Sequence, residues 1–295
     1  MKGLLLIDKP KGITSFSAVS AVKRAACEKR VGHTGTLDPM ATGVLPILLG
    51  RATALSSLML DADKRYRAKI KLGITTDTDD ITGEVLEAKP VNVSEAGLKE
   101  VLTEFTGVIH QRPPMYSAIK KDGVRLYKLA REGKTADIPF REITVFELKL
   151  LQGLDGENEF VVDTHVSKGT YIRSLARDIG EQLGCGATLT ELRRTYASGF
   201  DISQCVELER LSSDNAESFL LNEELAVAHL PELCVTEKQA VRFCNGGQLS
   251  FERLRLTDTV PGRLYRVKYC DKLLGIGFAD TEREQIGIKC IIDNP

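Results

Sequence analysis

The chain has 295 residues, of which 42% are hydrophobic, and a formal net charge of −1. This length and apolar content suffice for a sizeable core and for more than one domain. The sequence predicts neither a membrane-spanning helix nor a secretion signal, because its apolar runs are short and its start is soon interrupted by charge. The seven cysteines form no C-x-x-C pair, so we expect reduced thiols in a cytoplasmic protein.

The first third of the chain predicts alternating strands and helices. Residues 3–8 indicate a short buried strand, and a helix follows from Thr14 or Ser15 to about Lys29, with Val19 and Val22 on its inner face. The apolar segment 45–50 precedes a helical stretch over 51–61. Residues 67–72 alternate polar and apolar side chains, which predicts a half-buried strand whose hairpin partner is 83–86.

The remaining elements divide into a mixed region and a β-rich end. We expect a helix over 94–107 with Ser94 as its cap, a mobile basic insertion over about 120–141, a hairpin over 143–151 and 159–166, and a helix from about Tyr171 to Leu183. Residues 208–225 are predicted to be mostly helical. Three short strands then follow, over 264–269, 273–278 and 286–292, and indicate a small β-rich domain.

The run from Gly32 to Pro46 holds too many glycines and prolines for regular structure, so it predicts a shaped loop. Pro39 excludes Asp38 from the α region and restricts the directions that its side chain can take. Basic residues lie just upstream, and His33 precedes the acid by five positions. A fixed carboxylate beside cationic groups indicates a nucleophile presented to an anionic substrate. On these residues alone, a carboxylate that caps a turn is the alternative.

Charge is unevenly distributed along the chain. Residues 1–72 hold 13 Lys and Arg against 5 Asp and Glu, and residues 110–149 hold 9 against 5, whereas residues 201–295 hold 11 against 16. The basic segments therefore belong to the part of the chain that carries the shaped loop. This pattern is typical of contacts with nucleic-acid phosphates, with a solvated basic surface as the alternative.

The sequence predicts no cofactor and no metal. It has no G-x-x-x-x-G-K-[ST] loop and no G-x-G-x-x-G that opens a helix. Its four histidines are scattered without the spacing of metal ligands. The acidic run 77–80 departs from a calcium-binding loop at Ile81 and is expected to form an acidic turn after a strand.

Five segments occur in the order found in one enzyme family. They are 32–46, 64–67, 114–118, 167–175 and 192–194. In these segments the chain resembles the TruB-type bacterial tRNA pseudouridine synthases, from Leu5 to about Arg194, with a weaker match beyond. The resemblance implies an α+β fold: a pseudouridine synthase catalytic domain with a large mixed β-sheet over 1–229, and a small β-rich, PUA-like RNA-binding domain over 230–295. The insertion at about 120–141 would clamp the RNA.

The resemblance also implies the reaction and its residues. Uridine at the position conventionally numbered 55, in the T loop of tRNA, would be isomerised to pseudouridine on a flipped-out base, without cofactor or metal. Asp38 is the implied nucleophile, and Arg173 its ion-pair partner. Tyr66 is expected to stack on the target base and to act as a general base.

Further RNA contacts follow from the same resemblance. His33 would fill the space that flipped nucleotides leave in the RNA loop, and an imidazole suits this role because it both stacks and hydrogen-bonds. Tyr171 and Leu192 would contact the target nucleotide together with Tyr66. The expected partner is tRNA, bound through its T-arm stem-loop by a monomeric protein that has no membrane partner.

Two alternatives remain at this stage. One is a non-catalytic RNA-binding protein that assists tRNA folding on the same scaffold, and an Asp38→Ala protein that still folded tRNA would support that role. The other is a glycoside hydrolase. That chemistry needs a second carboxylate at a fixed separation, and the five segments supply none.

Overall fold

The computed structural model describes residues 1–117, 119–121, 123–134 and 136–295. Ala118 of the 114–118 segment, and Asp122 and Thr135 of the predicted insertion, lie outside the described residues. Within the described ranges, no helix is both long enough and apolar enough to cross a membrane.

The first part of the chain contains seven strands, three α-helices and one 3₁₀ helix, Gly50–Leu55. In chain order the strands and α-helices are β1 (Gly3–Lys9), α1 (Ser15–Ala25), β2 (Val31–His33), β3 (Thr42–Leu49), α2 (Ser56–Leu60), β4 (Lys64–Leu72), β5 (Ile74–Thr76), β6 (Val85–Ala88), α3 (Glu95–Glu104) and β7 (Gly107–Gln111). Two predicted caps are present: Thr14 accepts the Ser17 N–H at the start of α1, and Ser94 accepts the Gly97 N–H at the start of α3.

The middle of the chain begins with the insertion and returns to long strands. Its elements are β8 (Lys120–Lys121), β9 (Val124–Arg125), α4 (Leu126–Arg131), β10 (Arg141–Gln152), β11 (Glu159–Val166), α5 (Ile172–Gln182), β12 (Ala187–Ala197), β13 (Phe200–Asp201) and β14 (Val206–Glu207). The hairpin predicted over 143–151 and 159–166 is confirmed by the antiparallel pairing of β10 with β11. The mobility of the insertion stays a prediction.

The end of the chain forms a separate sheet. Its elements are β15 (Glu232–Cys234), α6 (Glu237–Cys244), β16 (Leu249–Ser250), α7 (Phe251–Leu254), β17 (Leu264–Tyr269), β18 (Lys272–Asp280) and β19 (Gln285–Ile291). The strands are arranged in the order β15-β17-β18-β19-β16, which confirms the β-rich C-terminal unit. Its PUA-like character stays a prediction.

The large sheet joins ten strands. Its main path is β14-β1-β3-β12-β4-β11-β10-β7, with β2 paired to β3 and β13 paired to β12. Strand β1 is parallel to β14, and β3 is parallel to β12, whereas the other pairs are antiparallel. The predicted large mixed sheet of an α+β fold is therefore confirmed.

Strand β1 is buried on both faces, which explains its continuous apolar run. Leu5 and Ile7 point into the main core, where Val19 and Val22 of α1 also pack, as predicted. Leu4 and Leu6 point to the opposite face and belong to a second core. That second core also contains three residues from the end of the chain, Leu273, Ile276 and Ile292. The boundary predicted at 229/230 thus lies between two sheets that share a hydrophobic core.

Three local predictions are wrong. Residues 83–86 do not pair with the strand 67–72, because both edges of β4 are occupied by β11 and β12 and β6 pairs with β5 instead. Helix α1 ends at Ala25 rather than near Lys29, since Cys27 has a positive φ of 47°. Residues 208–225 form short 3₁₀ turns, and side chains such as Asn215 and Asn222 accept backbone N–H groups there and so compete with a continuous helix.

Candidate active site

Asp38 lies in a loop over residues 34–41 that joins β2 to β3, here called the Asp38 loop. The Ser15 hydroxyl donates to the Leu37 carbonyl at 2.9 Å and accepts the Leu37 N–H at 2.8 Å. The Gly12 N–H donates to the Pro39 carbonyl at 2.8 Å, and the Ala41 N–H donates to the Asp38 carbonyl at 3.1 Å. Contacts from the start of α1 therefore fix the backbone on both sides of the carboxylate.

Arg194 of β12 holds the same loop from inside the sheet. Its guanidinium is 1% exposed and donates to the carbonyls of Val44 at 2.7 Å and Gly35 at 3.1 Å. Gly43 permits this close approach: its φ is +106°, and a β-carbon there would lie 2.1 Å from the Arg194 carbonyl oxygen. Gly43, in β3 just after the loop, thus allows the backbone of β12 at Arg194 to lie directly against β3.

A buried lysine supports the turn that precedes α1. Lys9 is fully buried, and its ammonium donates to the carbonyls of Pro10 at 2.9 Å and Ile13 at 2.8 Å. Burial lowers the pKa of Lys9 to about 8, and the nearby charge of Asp38 opposes that decrease. The lysine therefore adds positive charge behind the carboxylate as well as holding the turn.

Arg173, in the first turn of α5, contacts Asp38 directly. Its Nε lies 2.9 Å from Oδ2 of Asp38, while Nη1 donates to the Thr78 carbonyl at 3.0 Å and Nη2 donates to the Tyr116 carbonyl at 2.9 Å. The Arg173 side chain is 6% exposed, whereas that of Asp38 is 35% exposed. The arginine is therefore fixed by the protein, and the carboxylate keeps an accessible oxygen edge.

The acidic turn predicted over 77–80 supplies partners for this arginine and for the next turn of its helix. Oδ2 of Asp80 lies 3.6 Å from Nη1 of Arg173, and Oδ2 of Asp79 lies 3.0 Å from Nη1 of Arg177. Asp80 is 4% exposed and also accepts the Thr82 N–H at 3.0 Å. Sequence reasoning missed Asp80, although two arginines four residues apart on one helix face match two adjacent acids.

Burial is the main influence on the Asp38 carboxyl and raises its pKa above the ordinary aspartate value. The guanidinium of Arg173 opposes this rise in pKa, and the negative charge of Asp80 adds to it. A desolvated carboxylate with a raised pKa is a better nucleophile than one in bulk water once it is ionised. Burial also raises the pKa of Asp79, to about 6.

A cavity of about 340 Å³ opens beside Asp38. The structure brings five of the six predicted site residues together in its lining: Asp38, Tyr66, Tyr171, Arg173 and Leu192. Tyr66 is 7% exposed and lies on β4 between Thr164 of β11 and Arg194 of β12. Among the described residues that line the cavity, Asp38 alone carries a carboxylate.

Gln111 positions Tyr171 and was not predicted. Its side-chain amide donates to the Tyr171 carbonyl at 3.1 Å, and its amide oxygen accepts the Tyr171 N–H at 2.8 Å. Gln111 is 1% exposed and ends β7 at the far edge of the sheet. The pair of hydrogen bonds fixes the backbone that carries both Tyr171 and the start of α5.

Lys64, two residues before Tyr66 on β4, also lines the cavity and was not predicted as a site residue. Its ammonium donates to the Leu60 carbonyl at 3.2 Å and to the Ala62 carbonyl. Burial lowers the pKa of Lys64 to about 8, and the charge of Arg194 adds to this decrease. It provides a cation at the cavity, as an anionic substrate requires.

His33 lies outside this lining, at the end of β2. Its Nδ1 accepts the Gly35 N–H at 3.2 Å, and burial lowers its pKa. Both observations favour a neutral imidazole with its proton on Nε2. The contact links His33 to the Asp38 loop, and its entry into an RNA loop stays a prediction.

The described geometry leaves no paired acid for a hydrolase. Asp80 is the nearest second carboxylate to Arg173, but it is buried in its own turn and does not line the cavity. Glycoside hydrolysis needs a second carboxyl group that reaches the scissile bond. The arrangement therefore supports one carboxylate nucleophile that is oriented by one arginine.

Comparison with known proteins agrees with this geometry. The family model described as the N-terminal domain of TruB family pseudouridylate synthase matches residues 23–172, which include Asp38 and Tyr66. The chain belongs to the TruB family. The model described as the tRNA pseudouridylate synthase B C-terminal domain matches residues 173–229, so the two matches meet between Ile172 and Arg173.

TruB relatives cover most of this chain. It is 46% identical over 250 residues to the tRNA pseudouridine synthase B of Azoarcus sp. strain BH72, covering 84% of this chain and 83% of the relative. Identity to the protein of that name from Pseudomonas fluorescens strain Pf0-1 is 43% over 285 residues, covering 94% and 91%.

Two solved structures are similar over 99% of this chain. One is from a crystal structure of a Cbf5-Nop10-Gar1 complex, with a TM-score of 0.71, 26% identity and coverage of 84% of that chain. The other is from an H/ACA RNP bound to a substrate RNA containing 2'-deoxyuridine, with a TM-score of 0.68, 26% identity and coverage of 84%.

Proposed function

We propose that this TruB family protein isomerises a uridine of tRNA to pseudouridine, and that the uridine is the one at position 55 in the T loop. The observation that carries the proposal is the Asp38–Arg173 pair, with Nε and Oδ2 separated by 2.9 Å at the edge of a cavity. The relatives named tRNA pseudouridine synthase B support tRNA as the substrate.

The proposed reaction conserves every atom of the nucleotide. The bond between N1 and C1′ breaks, the uracil turns, and a bond forms between C5 and C1′ while C5 loses a proton and N1 gains one. Asp38 acts as the nucleophile, and its adduct, at C1′ of the sugar or at C6 of the base, holds the fragments together during the turn. No redox partner or group donor enters this balance.

The neighbouring residues have distinct proposed roles. Arg173 aims the Asp38 carboxylate and keeps it ionised. Tyr66 stacks on the flipped base and serves as the general base for the C5 proton, and Tyr171 and Leu192 form further walls of the cavity. His33 enters the RNA loop where the target nucleotide has left its stack.

A scaffold that only bound RNA would not need this arrangement. It gains nothing from a carboxylate that an arginine orients at a cavity, and burying the charge of Arg173 is costly unless that charge does further work. We further propose that the protein works as a monomer in the cytoplasm. Its proposed catalytic residues come from one chain, and size-exclusion chromatography with light scattering tests the monomer directly.

The position of the product tests the function. An unmodified tRNA transcript is incubated with the protein without added cofactor, and pseudouridine is mapped by carbodiimide labelling and primer extension. We expect a single new stop at the T-loop uridine. A transcript with that uridine replaced by cytidine is the control. Pseudouridine elsewhere would contradict the assigned position, and none at all would contradict the function.

A further inference from the structure

A second cleft, of about 380 Å³, lies on the other face of the large sheet. Successive side chains on a strand point to opposite faces, so β4 and β12 each serve two sites. Tyr66 and Arg194 line the catalytic cavity, whereas the adjacent residues Arg67 and Arg193 line the second cleft. Leu192 belongs to both linings, so the two spaces adjoin at that residue.

The lining of this cleft is strongly basic. It includes four cations, Lys11, Arg67, Lys69 and Arg193, and one carboxylate, Glu191. Two of the cations have partners: Lys69 pairs with Glu159, and Arg193 pairs with Asp8 at 2.6 Å. The side chains of Lys11 and Arg67 have no ion-pair or hydrogen-bond partner among the residues that the structure describes.

The strand register gives a second reason to expect an anion near Arg67. Arg67 lies directly opposite Arg193 on β12, and like charges in this position destabilise a sheet. On its other side Arg67 lies opposite Asp163, but Asp163 binds Nε of Arg65 at 2.9 Å instead. Asp8 neutralises Arg193, so an anion in the cleft would neutralise the remaining charge of Arg67.

The cleft is also tied to the Asp38 loop. Met40 of that loop and Thr42, the first residue of β3, contribute to its lining, and Arg193 donates to the Thr42 hydroxyl at 3.2 Å. Lys11 lies in the turn whose Gly12 N–H donates to the Pro39 carbonyl. A group bound between Lys11 and Arg67 would therefore lie next to the backbone that presents the nucleophile.

We propose that Lys11 and Arg67 bind the phosphodiester backbone of the substrate RNA in this cleft, beside the nucleotide that enters the catalytic cavity. The inference rests on the proposed function, because it assigns the ligand to the same RNA. Phosphate contacts position a nucleic acid without reading its sequence. The cleft therefore contributes affinity and register, while the cavity selects the base.

Binding of an unmodified tRNA transcript, measured by fluorescence anisotropy over a salt series, tests this inference without requiring turnover. Lys11→Gln and Arg67→Gln are each compared with wild type. Lys99→Gln is the matched control, since Lys99 is exposed on α3 outside the cleft. Each lost phosphate contact should reduce the slope of log K against log salt by about 0.7–0.9, which corresponds to about sixfold weaker binding at 0.1 M salt.

Steady-state kinetics on the same transcript give the second readout. We expect both cleft variants to raise KM by a similar factor, with the effect on KM larger than that on kcat, and Lys99→Gln to match wild type. If the cleft variants bind RNA with the wild-type salt slope, the proposal that RNA phosphates occupy the cleft is wrong, whereas the proposed isomerase function is unaffected. A wild-type protein that formed no pseudouridine would overturn the proposed function, and the salt slopes would still decide whether RNA occupies the cleft.

Discussion

Nε of Arg173 lies 2.9 Å from Oδ2 of Asp38, and the two remaining nitrogens of this guanidinium each donate to a backbone carbonyl. Two backbone carbonyls therefore hold the arginine in place, and its third nitrogen contacts the carboxylate. A planar group with fixed donors restricts the carboxylate more than a flexible ammonium can. Arg173 comes from α5, and the loops that contain Thr78 and Tyr116 fix its guanidinium. The guanidinium in turn orients Asp38, which lies in a third loop.

Arg173→Lys should lower the single-turnover rate by about a hundredfold, although the positive charge is kept, because hydrogen bonds to charged groups contribute about 1.5–3 kcal/mol. A lysine cannot satisfy Thr78, Tyr116 and Asp38 together. Arg177→Lys is the matched control, one turn further along α5, where the partner is Asp79. Equal effects of the two substitutions would show that Arg173 acts through stability alone.

The single-turnover rate should fall on the acid side at a pH above the ordinary aspartate range. In the proposed reaction Asp38 must be ionised to attack. Burial raises its pKa, so activity should be lost as the pH falls through that raised value. Asp80→Asn removes a negative charge that contributes to the rise, so the acid limb should move to lower pH while the maximal rate also falls. Circular dichroism over the same pH range controls for unfolding. An acid limb that does not move would show that the charge of Asp80 has no effect on the pKa of Asp38.

Ile276→Ala should destabilise the whole protein by about 2–5 kcal/mol, as expected for a large-to-small change in a core. Ile276 is fully buried in the core that Leu4 and Leu6 of β1 share, so urea unfolding should stay a single transition shifted to lower urea. Val260→Ala, at an exposed position, is the control and should change stability little. Two separate transitions, with only the later part of the chain affected, would show that the two sheets fold independently.

An isolated T-arm stem-loop should be a substrate, and a fully paired duplex with the same uridine should be a poor one. In the proposed reaction the target base enters the cavity lined by Asp38 and Tyr66, and a base in a duplex must first be unstacked and unpaired, at a cost of a few kcal/mol. The measurement is kcat/KM for both RNAs at one salt concentration. Equal values would contradict base flipping into this cavity.

Local chemistry explains what the sequence could predict. The apolar run of residues 3–8 predicts a buried strand, which is present. The glycine and proline content of residues 32–46 predicts a shaped loop around Asp38, and the structure restricts that loop to residues 34–41, because residues 32–33 belong to β2 and residues 42–46 to β3. The resemblance to the TruB family adds Tyr66, Arg173, Tyr171 and Leu192, which the structure places in one cavity.

Long-range pairing explains what could not be predicted. Residues 83–86 follow the strand 67–72 closely in sequence, yet the edges of β4 are filled by strands that come about a hundred residues later. Asp80 and Gln111 show no local signal of function, because their roles depend on the distant helix α5 that the sheet brings beside them. The order of strands in the mixed sheet determines which distant residues come into contact, and local sequence patterns do not encode that order.

Release of the C5 hydrogen tests the central claim, that Asp38 is the nucleophile of a uridine isomerase, most directly. The tRNA transcript is labelled with tritium at C5 of its uridines, and tritium released to water is counted for wild type and for Asp38→Asn, whose RNA affinity is measured in parallel. We predict one tritium released per tRNA by wild type, and none by an Asp38→Asn protein that binds RNA normally and is verified free of deamidation. Release by that variant at a rate near wild type would contradict the account.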